Sequence, residues 1–352
     1  MTYIPRIGFA CKWIDTPEQV DGIKPKDPAK KYNTGGTTIT WLNKQTRDVA
    51  EQKLWDLMVQ NLEATRLLVE RVGNLEPHLR MVRLSSDILP AYTQEDWSYF
   101  WRKPDVQATC EIEFAKIGEI ARQQEVKLSF HPGQFTVLAS DNPDVVNRSI
   151  DEFEYHVDMA RWMGYGDRFH SDGFKVNVHI SGRNGAMGIV NALPRLSQEA
   201  KNLITIENEE ITYGLDDCLT LAEHGVAIVL DIHHHWCREG EYIQPGDDRV
   251  KRVIDSWQGV RPTMHYSYSR DEHLPQGFDH TECPTMQLLL ESGHKKQKLR
   301  AHSDFYPNQK VNEWALSFLN NFDIMCEAKG KNLASFKLAE SVPTSALEPL
   351  AF

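Results

Sequence analysis

The 352-residue chain lacks the usual features of membrane and secreted proteins. It has no apolar run near the ~18 residues that a membrane-spanning helix needs, which excludes such a helix. Its first residues, Met1 to Arg6, lack the basic-then-apolar layout of a signal peptide. Its six cysteines contain no CxxC pair. We therefore expect free thiols in a reducing compartment, and a cytoplasmic protein without a membrane partner.

Positive charge is also scarce, because 39 Lys and Arg stand against 50 Asp and Glu, a net charge of −11. This balance argues against nucleic-acid binding, since phosphate contacts need Lys and Arg. Two points weaken the objection. Carboxylates that bind metal would be offset by divalent ions, and the run His294 to Arg300 (HKKQKLR) is locally basic. That run is either a phosphate contact or a solvated loop.

No internal repeat, low-complexity tract or Pro/Gly-rich linker divides the chain. Short apolar runs instead alternate with longer helical patterns such as Gln45–Val72, Asn142–Met163 and Leu215–His224. This alternation predicts an α/β fold, a TIM-type (β/α)8 barrel in a single domain, with a doubly wound open sheet as the alternative. The predicted strands are Ile7–Cys11, Met81–Ser85, Val126–His131, Phe174–Ile180, Leu203–Glu207, Ala227–Ile232, Thr263–Ser267 and Asp323–Glu327.

Two connections are too long for ordinary turns, residues 12–43 after the first strand and residues 268–311 between the seventh and the eighth. In a barrel, the loops that follow the strands build the active-site face. We therefore expect these two loops to be functional.

Metal-ligand residue types recur where the predicted strands end. Since parallel barrel strands end on one face, these side chains should converge there. A ring of imidazoles and carboxylates suits Mn²⁺ or Zn²⁺, whereas a polar barrel mouth without metal is the simpler alternative. The candidates are His131, His179, Glu207, Asp231, His234, His265, His302 and Glu327, with His233 and His235 as weaker ones.

The motifs around these residues occur in a specific order, namely His-Pro-Gly-Gln, Val-His, Ile-Glu-Asn, Leu-Asp-x-x-His-His, Met-His-x-Ser, Ala-His-Ser-Asp and Glu-Ala-Lys-Gly-Lys. In this order the chain resembles the UV-damage endonuclease family and, more distantly, endonuclease IV. The resemblance runs from Arg6 to about Lys331. It implies a metal-dependent endonuclease domain over residues 1–331, followed by a C-terminal tail over 332–352.

The resemblance also implies a chemistry. Such enzymes hydrolyse the DNA phosphodiester immediately 5′ to a UV photoproduct or abasic site. They use up to three divalent ions, usually Mn²⁺, with Zn²⁺ or Mg²⁺ possible. The implied partner is damaged double-stranded DNA, and no obligate protein partner is evident.

Roles for the metal candidates follow from the same resemblance. Glu207 and Glu327 are the carboxylates shared among ions, and His131 and His179 hold one ion with them. Asp231 and His265 hold a second ion, and His234 and His302 a third. Lys329, two residues after Glu327, is either a phosphate contact or a structural lysine.

Lesion recognition needs a side chain that fills the gap left by an extracted nucleotide. Gln134 and Phe135 occupy the loop where the family has a Gln-Tyr probe. Phe9, at the end of the first strand, stands where the family usually has Tyr. For Phe9 and Phe135, ordinary core packing is the alternative.

The sequence departs from the family pattern at two positions. Gln94 stands where the family usually has His. Thr263 stands where the family has a Lys two residues before the seventh-strand His, so any role of that Lys must be absent or supplied elsewhere. The insertion before His302 is also longer than expected.

Two other functions remain open from the residues. Metal-dependent sugar isomerases and epimerases use the same barrel and a similar ring of ligands, and they suit an acidic chain. A non-catalytic binding module that keeps the ring for stability is the third possibility. The number of ligands favours phosphate chemistry, since the pair His234 and His302 indicates a third ion.

Overall fold

In the computed structural model, residues 2–16, 28–347 and 350–351 are described. Eight short parallel strands form one sheet, and their sides are covered by helices. The strands are β1 (Ile7–Ala10), β2 (Met81–Arg83), β3 (Lys127–Phe130), β4 (Lys175–His179), β5 (Ile204–Glu207), β6 (Ala227–Val229), β7 (Thr263–Tyr266) and β8 (Asp323–Cys326).

Neighbouring strands follow chain order, with the hydrogen-bonded sequence β6-β5-β4-β3-β2-β1-β8-β7. Because β1 pairs with both β2 and β8, the sheet curves back on itself. Strands β6 and β7 meet through a parallel bridge between Asp231 and His265, where the His265 amide donates to the Leu230 carbonyl at 2.9 Å. The result is a nearly closed barrel, which confirms the predicted TIM-type fold.

The α-helices of the described residues lie mainly between the strands. They are α1 (Ile39–Leu42), α2 (Arg47–Gly73), α3 (Pro104–Gln123), α4 (Pro143–Trp162), α5 (Gly185–Ala192), α6 (Gln198–Leu203), α7 (Leu215–Leu219), α8 (Ile232–Glu239), α9 (Asp248–Ser256), α10 (Met286–Glu291), α11 (Lys296–Leu299), α12 (Gln309–Leu316) and α13 (Lys331–Ala339). Short 3₁₀ turns occupy Pro28–Tyr32, Pro77–Leu79, Phe100–Arg102, Ser171–Gly173, Leu193–Arg195, Thr220–His224, Asp271–His273, Ser317–Asn320 and Thr344–Leu347.

Local sequence explains where the long helices begin and which face they bury. Asn142 precedes α4, and its side-chain oxygen accepts from the Asp144 amide at 2.9 Å, while Pro143 supplies the first helical residue without needing a donor. In α2, Leu54, Met58 and Leu62 recur every four residues and are buried against the barrel. Each predicted strand is present, and each is one to three residues shorter than expected, with its remaining predicted residues in the flanking segments.

An ionic layer closes the end of the barrel opposite the predicted site. Asp323, fully buried at the start of β8, lies 2.9 Å from the Lys127 Nζ and 3.1 Å from the Arg261 Nε. The Tyr3 hydroxyl donates to the same carboxylate at 2.5 Å. Next to Tyr3, the terminal segments Thr2–Tyr3 and Leu350–Ala351 pair as a short antiparallel ladder. Among the described helices, none is long and apolar enough to cross a membrane.

The two long loops differ in how much of them can be described. Residues 17–27 of the predicted loop 12–43 lie outside the described residues, whereas the loop before β8 is described and contains α10 and α11. The predicted tail begins inside α13, whose Phe336 ring packs edge-on against Phe9 with centroids 6.5 Å apart. Of that tail, residues 348–349 and 352 lie outside the described residues, and the domain boundary at residue 331 stays a prediction.

Candidate metal centre

Glu207, the last residue of β5, lies at the centre of the polar cluster at the strand ends. Its side chain is fully buried, with Oε2 3.2 Å from the His131 Nε2 and Oε1 3.0 Å from the His265 Nδ1. The His234 Nδ1 lies 3.5 Å from the same Oε1, and the Asn177 amide donates to Oε2. One carboxylate therefore contacts side chains from four further strands or their following loops.

Glu327, directly after β8, is a second carboxylate that contacts His265. Its Oε1 lies 3.3 Å from the His265 Nδ1 and forms an ion pair with Arg83 from β2. The Glu327 backbone carbonyl lies 2.7 Å from the His302 Nδ1. His302 is thereby fixed next to Glu327 through one ring nitrogen.

Three sets of side chains bring potential ligand atoms within 4.8 Å of one another. Asp231 and His265 share a set with Glu327, in line with the pairing expected from the sequence. His131 and His179 fall into separate sets, although their ring centroids are 4.9 Å apart. The sets are His131, Glu207 and His265; His179, Glu207 and His234; and Asp231, His265 and Glu327.

His302 belongs to none of these sets within the described part of the chain. Its ring centroid lies 6.4 Å from that of His234, so the two are neighbours without sharing a close carboxylate oxygen. The weaker candidates make their contacts elsewhere. The His233 Nε2 lies 3.2 Å from the Leu299 carbonyl, and the His235 Nε2 lies 2.8 Å from the Glu241 Oε1.

Local hydrogen bonds hold the ligand candidates on β5 and α8 in place. Asp231 caps α8, since its Oδ1 accepts from the His234 amide at 2.7 Å. Asn208 fixes the Asp231 backbone by accepting from its amide at 2.9 Å and donating to its carbonyl at 3.0 Å. The Asn208 carbonyl also lies 3.0 Å from the His234 Nδ1. The Asp-x-x-His spacing is therefore that of a helix N-cap and its third residue.

Buried ligand atoms in this cluster lack the partners that buried polar atoms normally have. Glu207 Oε1, Asp231 Oδ2 and His265 Nδ1 are inaccessible to solvent. Although Oε1 and Nδ1 lie 3.0 Å apart, none of the three atoms makes a hydrogen bond to any described residue. Leaving such groups unpaired is costly, because each has lost its hydration. A bound cation would satisfy all three, so these residues fit a metal centre.

The charge states of the cluster point in the same direction. Burial, with the neighbouring Glu207 and Glu327, raises the pKa of the Asp231 carboxyl well above its ordinary value. Burial lowers the pKa of His265 to about 4, which keeps the ring neutral, the form that binds metals. A divalent cation would relieve the repulsion that disfavours ionised Asp231.

The remaining predicted site residues are placed differently. In the loop after β3, Phe135 is 84% exposed and Gln134 is also exposed, both at the tip of a turn closed by a bond from the Thr136 amide to the Gly133 carbonyl. Phe9 is fully buried and packs edge-on against Trp13, which agrees with the packing alternative. Lys329 lies 3.5 Å from Asp304 at the rim.

The two departures from the family pattern have distinct surroundings. Gln94 is exposed in a turn and borders the same surface depression as Phe135. Thr263 is buried, and its hydroxyl has no partner among the described residues. Close to it, the fully buried Lys175 of β4 brings its Nζ to 3.3 Å from the His265 Nε2. A lysine thus approaches the seventh-strand histidine from β4 instead of β7.

Several residues of this cluster were not predicted from the sequence. Arg83, Lys175, Asn177 and Asn208 each contact a candidate ligand directly. A signal for two of them was present in Lys-Val-Asn-Val-His at 175–179, where polar residues alternate with apolar ones. Period-two alternation places Lys175 and Asn177 on the same side of β4 as His179.

Comparisons with known proteins agree with this geometry. The sequence model of the family described as UV-endonuclease UvdE matches residues 6–348. A "UV DNA damage endonuclease" from Bacillus cereus (strain G9842) is 26% identical over 318 residues, covering 87% of this chain and 88% of that protein. A protein of the same name from Bacillus mycoides (strain KBAB4) is 26% identical over 315 residues, covering 86% of each chain.

Solved structures share the fold. The crystal structure of SacUVDE is similar with a TM-score of 0.68 and 20% identity, covering 96% of this chain and 97% of that one. Endonuclease IV from Thermus thermophilus is similar with a TM-score of 0.50 and 12% identity, covering 80% and 95% of the respective chains. These likenesses extend to the barrel and its surrounding helices.

Proposed function

The chain belongs to the UV-endonuclease UvdE family, and from this premise we propose that it is a DNA-repair endonuclease. Its substrate would be double-stranded DNA that contains a UV photoproduct or an abasic site. It would hydrolyse the phosphodiester immediately 5′ to the lesion at a multi-metal centre, with Mn²⁺ as the expected ion and Zn²⁺ or Mg²⁺ as possible substitutes.

The observation that carries this proposal is the set of buried ligand atoms on Glu207, Asp231 and His265 that make no hydrogen bond to any described residue. They lie at or just after the ends of three different strands, and His265 shares one ligand set with Glu207 and another with Asp231. Divalent ions held there would supply an activated water and would neutralise the charge of a phosphodiester. No nucleophilic side chain is needed for that reaction.

The side chains around the cluster would divide the work of holding the ions. Glu207 belongs to two of the ligand sets and Glu327 to one. Both would be the shared carboxylates, with Asp231 and the histidines completing each set. Arg83, paired with Glu327, would keep that carboxylate oriented. Lys329, about two-fifths exposed at the rim, could leave Asp304 to bind a phosphate oxygen.

Lesion recognition would fall to the loop after β3. Phe135 is far more exposed than a core phenylalanine, and the exposed Gln134 precedes it in the chain. An exposed aromatic ring four residues after His131 would stack where a damaged nucleotide has left the duplex. The sugar isomerase or epimerase considered from the metal ring alone has no support from the family match.

The proposal is tested with a UV-irradiated supercoiled plasmid. Purified protein should convert it to the nicked form in the presence of Mn²⁺, whereas unirradiated plasmid and chelator-treated protein should stay inactive. Duplexes with a single photoproduct or abasic site would then locate the cut, which we expect immediately 5′ to the lesion with a 3′-hydroxyl end. Intact irradiated plasmid with Mn²⁺, Zn²⁺ and Mg²⁺ alike would refute the proposal.

A further inference from the structure

The loop between β7 and β8 carries a basic segment, Lys295–Arg300, whose cations point to solvent. Lys295, Lys296, Lys298 and Arg300 are all exposed, whereas Leu299 is fully buried. Residues 296–299 form α11, a single helical turn. In a chain of net charge −11, this segment has four cations and no acidic residue.

The backbone of the basic segment is anchored to the barrel. Leu299 packs with Leu289 and with Trp236 of α8. Its carbonyl accepts from the Ser269 hydroxyl at 2.5 Å and lies 3.2 Å from the His233 Nε2. The Lys296 ammonium donates to the Arg238 carbonyl at 2.5 Å, also on α8. These contacts fix the position of the segment, so its charges are presented from a defined surface.

That surface adjoins the candidate metal centre. The Arg300 guanidinium lies 3.1 Å from the Glu210 Oε1, and the Glu210 Oε2 lies 3.9 Å from the His234 Nε2. Two residues after Arg300, His302 forms an antiparallel bridge with Ser269 and contacts the Glu327 carbonyl. The basic segment is therefore at the rim of the cluster, two side-chain contacts away from a candidate ligand.

Two of the four cations in this segment, Lys295 and Lys298, have no acidic partner among the described residues, unlike several lysines on the outer helices. Lys116 and Lys251 pair with acidic residues of their own helices, at 2.6 Å from Glu113 and 2.5 Å from Asp255. In contrast, Lys295 and Lys298 form no ion pair with any residue that the structure describes. Cations without acidic neighbours are the ones that can release counterions from DNA.

We propose that the basic segment Lys295–Arg300 binds the phosphate backbone of duplex DNA beside the bond that is cut. This inference rests on the proposed endonuclease function and adds a binding surface to it. A six-residue segment with one helical turn is about 10 Å long, which covers about three phosphates of one strand at a rise of 3.4 Å per nucleotide. Such contacts position DNA and do not read its sequence.

The test is the salt dependence of DNA binding by Lys295→Gln/Lys298→Gln. Each phosphate contact contributes about 0.9 to the slope of log K against log salt, so the double variant should lose about 2 from that slope. At 0.1 M salt this corresponds to a roughly 60-fold weaker affinity. Damaged and undamaged duplexes should weaken by the same factor, as measured by fluorescence anisotropy.

Lys116→Gln/Lys251→Gln is the matched control, because it removes the same charge from outer helices. We expect its affinity and slope to stay at wild-type values, and the melting temperatures of both variants to match the wild type. If the basic-segment variant binds like the control while wild-type protein nicks irradiated plasmid, the inference is wrong and the proposed function stands. If wild-type protein neither binds nor nicks irradiated DNA, the proposed function fails and the inference with it.

Discussion

Replacing Phe135 with alanine separates a lesion probe from a core residue more sharply than any other single change. Stacking of a base on an aromatic ring is worth about 1–3 kcal/mol. If Phe135 enters damaged DNA, its truncation should weaken binding to a lesion-containing duplex by about 5- to 150-fold. Binding to undamaged duplex should change little, since no nucleotide has left that stack.

The structure also sets the expected effect on stability. Phe135 is 84% exposed, so the folded protein loses few contacts when the ring is removed. A buried phenylalanine typically costs about 3–5 kcal/mol on truncation to alanine. For 352 residues, with an unfolding entropy of about 2.1 cal/mol/K per residue, that loss corresponds to a melting temperature roughly 4–7 °C lower. Phe135→Ala should show less than about 1 °C of that shift.

Two control variants accompany this measurement, one in the core and one on the surface. Phe130, the last residue of β3, is fully buried, so Phe130→Ala should lower the melting temperature by the full amount. Ile112 is 56% exposed on the outer helix α3, so Ile112→Ala should leave both stability and DNA affinity unchanged. Affinity is measured by anisotropy on an abasic-site duplex, and melting by differential scanning calorimetry.

The result that refutes the reasoning is specific. If Phe135→Ala binds the damaged duplex as tightly as the wild type, the ring does not stack on DNA. A large loss of stability would instead mean that the loop after β3 packs onto the protein in solution. The lesion probe would then have to be another side chain.

Four further predictions concern the cluster and the barrel. Glu207→Gln should bind at least one ion fewer by elemental analysis and should nick irradiated plasmid at least about 100-fold more slowly. Glu209, whose carboxylate caps a nearby turn, supplies the control, since Glu209→Gln should keep wild-type metal content. Full metal content in Glu207→Gln would contradict the shared-carboxylate role. His302→Ala should lower the metal count as well as the rate, and an unchanged count would show that the third ion is held elsewhere. Burial lowers the pKa of Lys175 to about 7, so its neutral amine can accept the Nε2 proton that His265 carries when Nδ1 binds an ion. Lys175→Met should therefore weaken Mn²⁺ binding by about 10- to 100-fold in calorimetry, and wild-type affinity would remove Lys175 from the metal centre. Asp323→Asn leaves the buried cations Lys127 and Arg261 without their carboxylate. It should lower the free energy of unfolding by about 3–5 kcal/mol and leave the metal content unchanged. An unaltered melting temperature would contradict this role of Asp323.

The barrel was predictable because its sequence pattern is redundant. Each strand is a short apolar run, and in β5 the run Ile204 to Ile206 is buried on both faces, as expected of a parallel sheet covered by helices. The geometry rule that strand ends share one face then predicts from sequence alone that Glu207, His265 and Glu327 lie together. The same alternation also fits a doubly wound open sheet, so the sequence favoured the barrel and the structure decided between the two.

The detailed ligand sets could not be predicted in the same way. His131 and His179 come from adjacent strands, yet they fall into different sets, His131 with His265 and His179 with His234. Arg83 contacts Glu327 across 244 positions of sequence, and no local pattern marks that pair. Distances of a few tenths of an ångström decide ligand sets, whereas sequence spacing fixes only the strand and the face.

Lys175 illustrates what a family pattern leaves out. Thr263 stands where the family has a lysine, two residues before His265. The sequence alone leaves open whether the role of that lysine is absent or is supplied by another residue. A barrel interior allows it to move, because inward-pointing side chains of several strands reach the same space. Lys175 lies on β4, on the far side of two intervening strands in sheet order, and its Nζ still reaches the His265 Nε2.

The acidic net charge, finally, gives little information about the partner of this chain. Three of its negative charges belong to Glu207, Asp231 and Glu327, and three divalent ions among them would reverse the local sign from −3 to about +3. Many of the cations on the outer helices are paired with acids of the same helix, as Lys116 is with Glu113. The basic segment Lys295–Arg300 lies instead at the rim of the cluster, where positive charge would meet a phosphate backbone. The field at this rim, rather than the sum over the chain, governs the encounter with DNA.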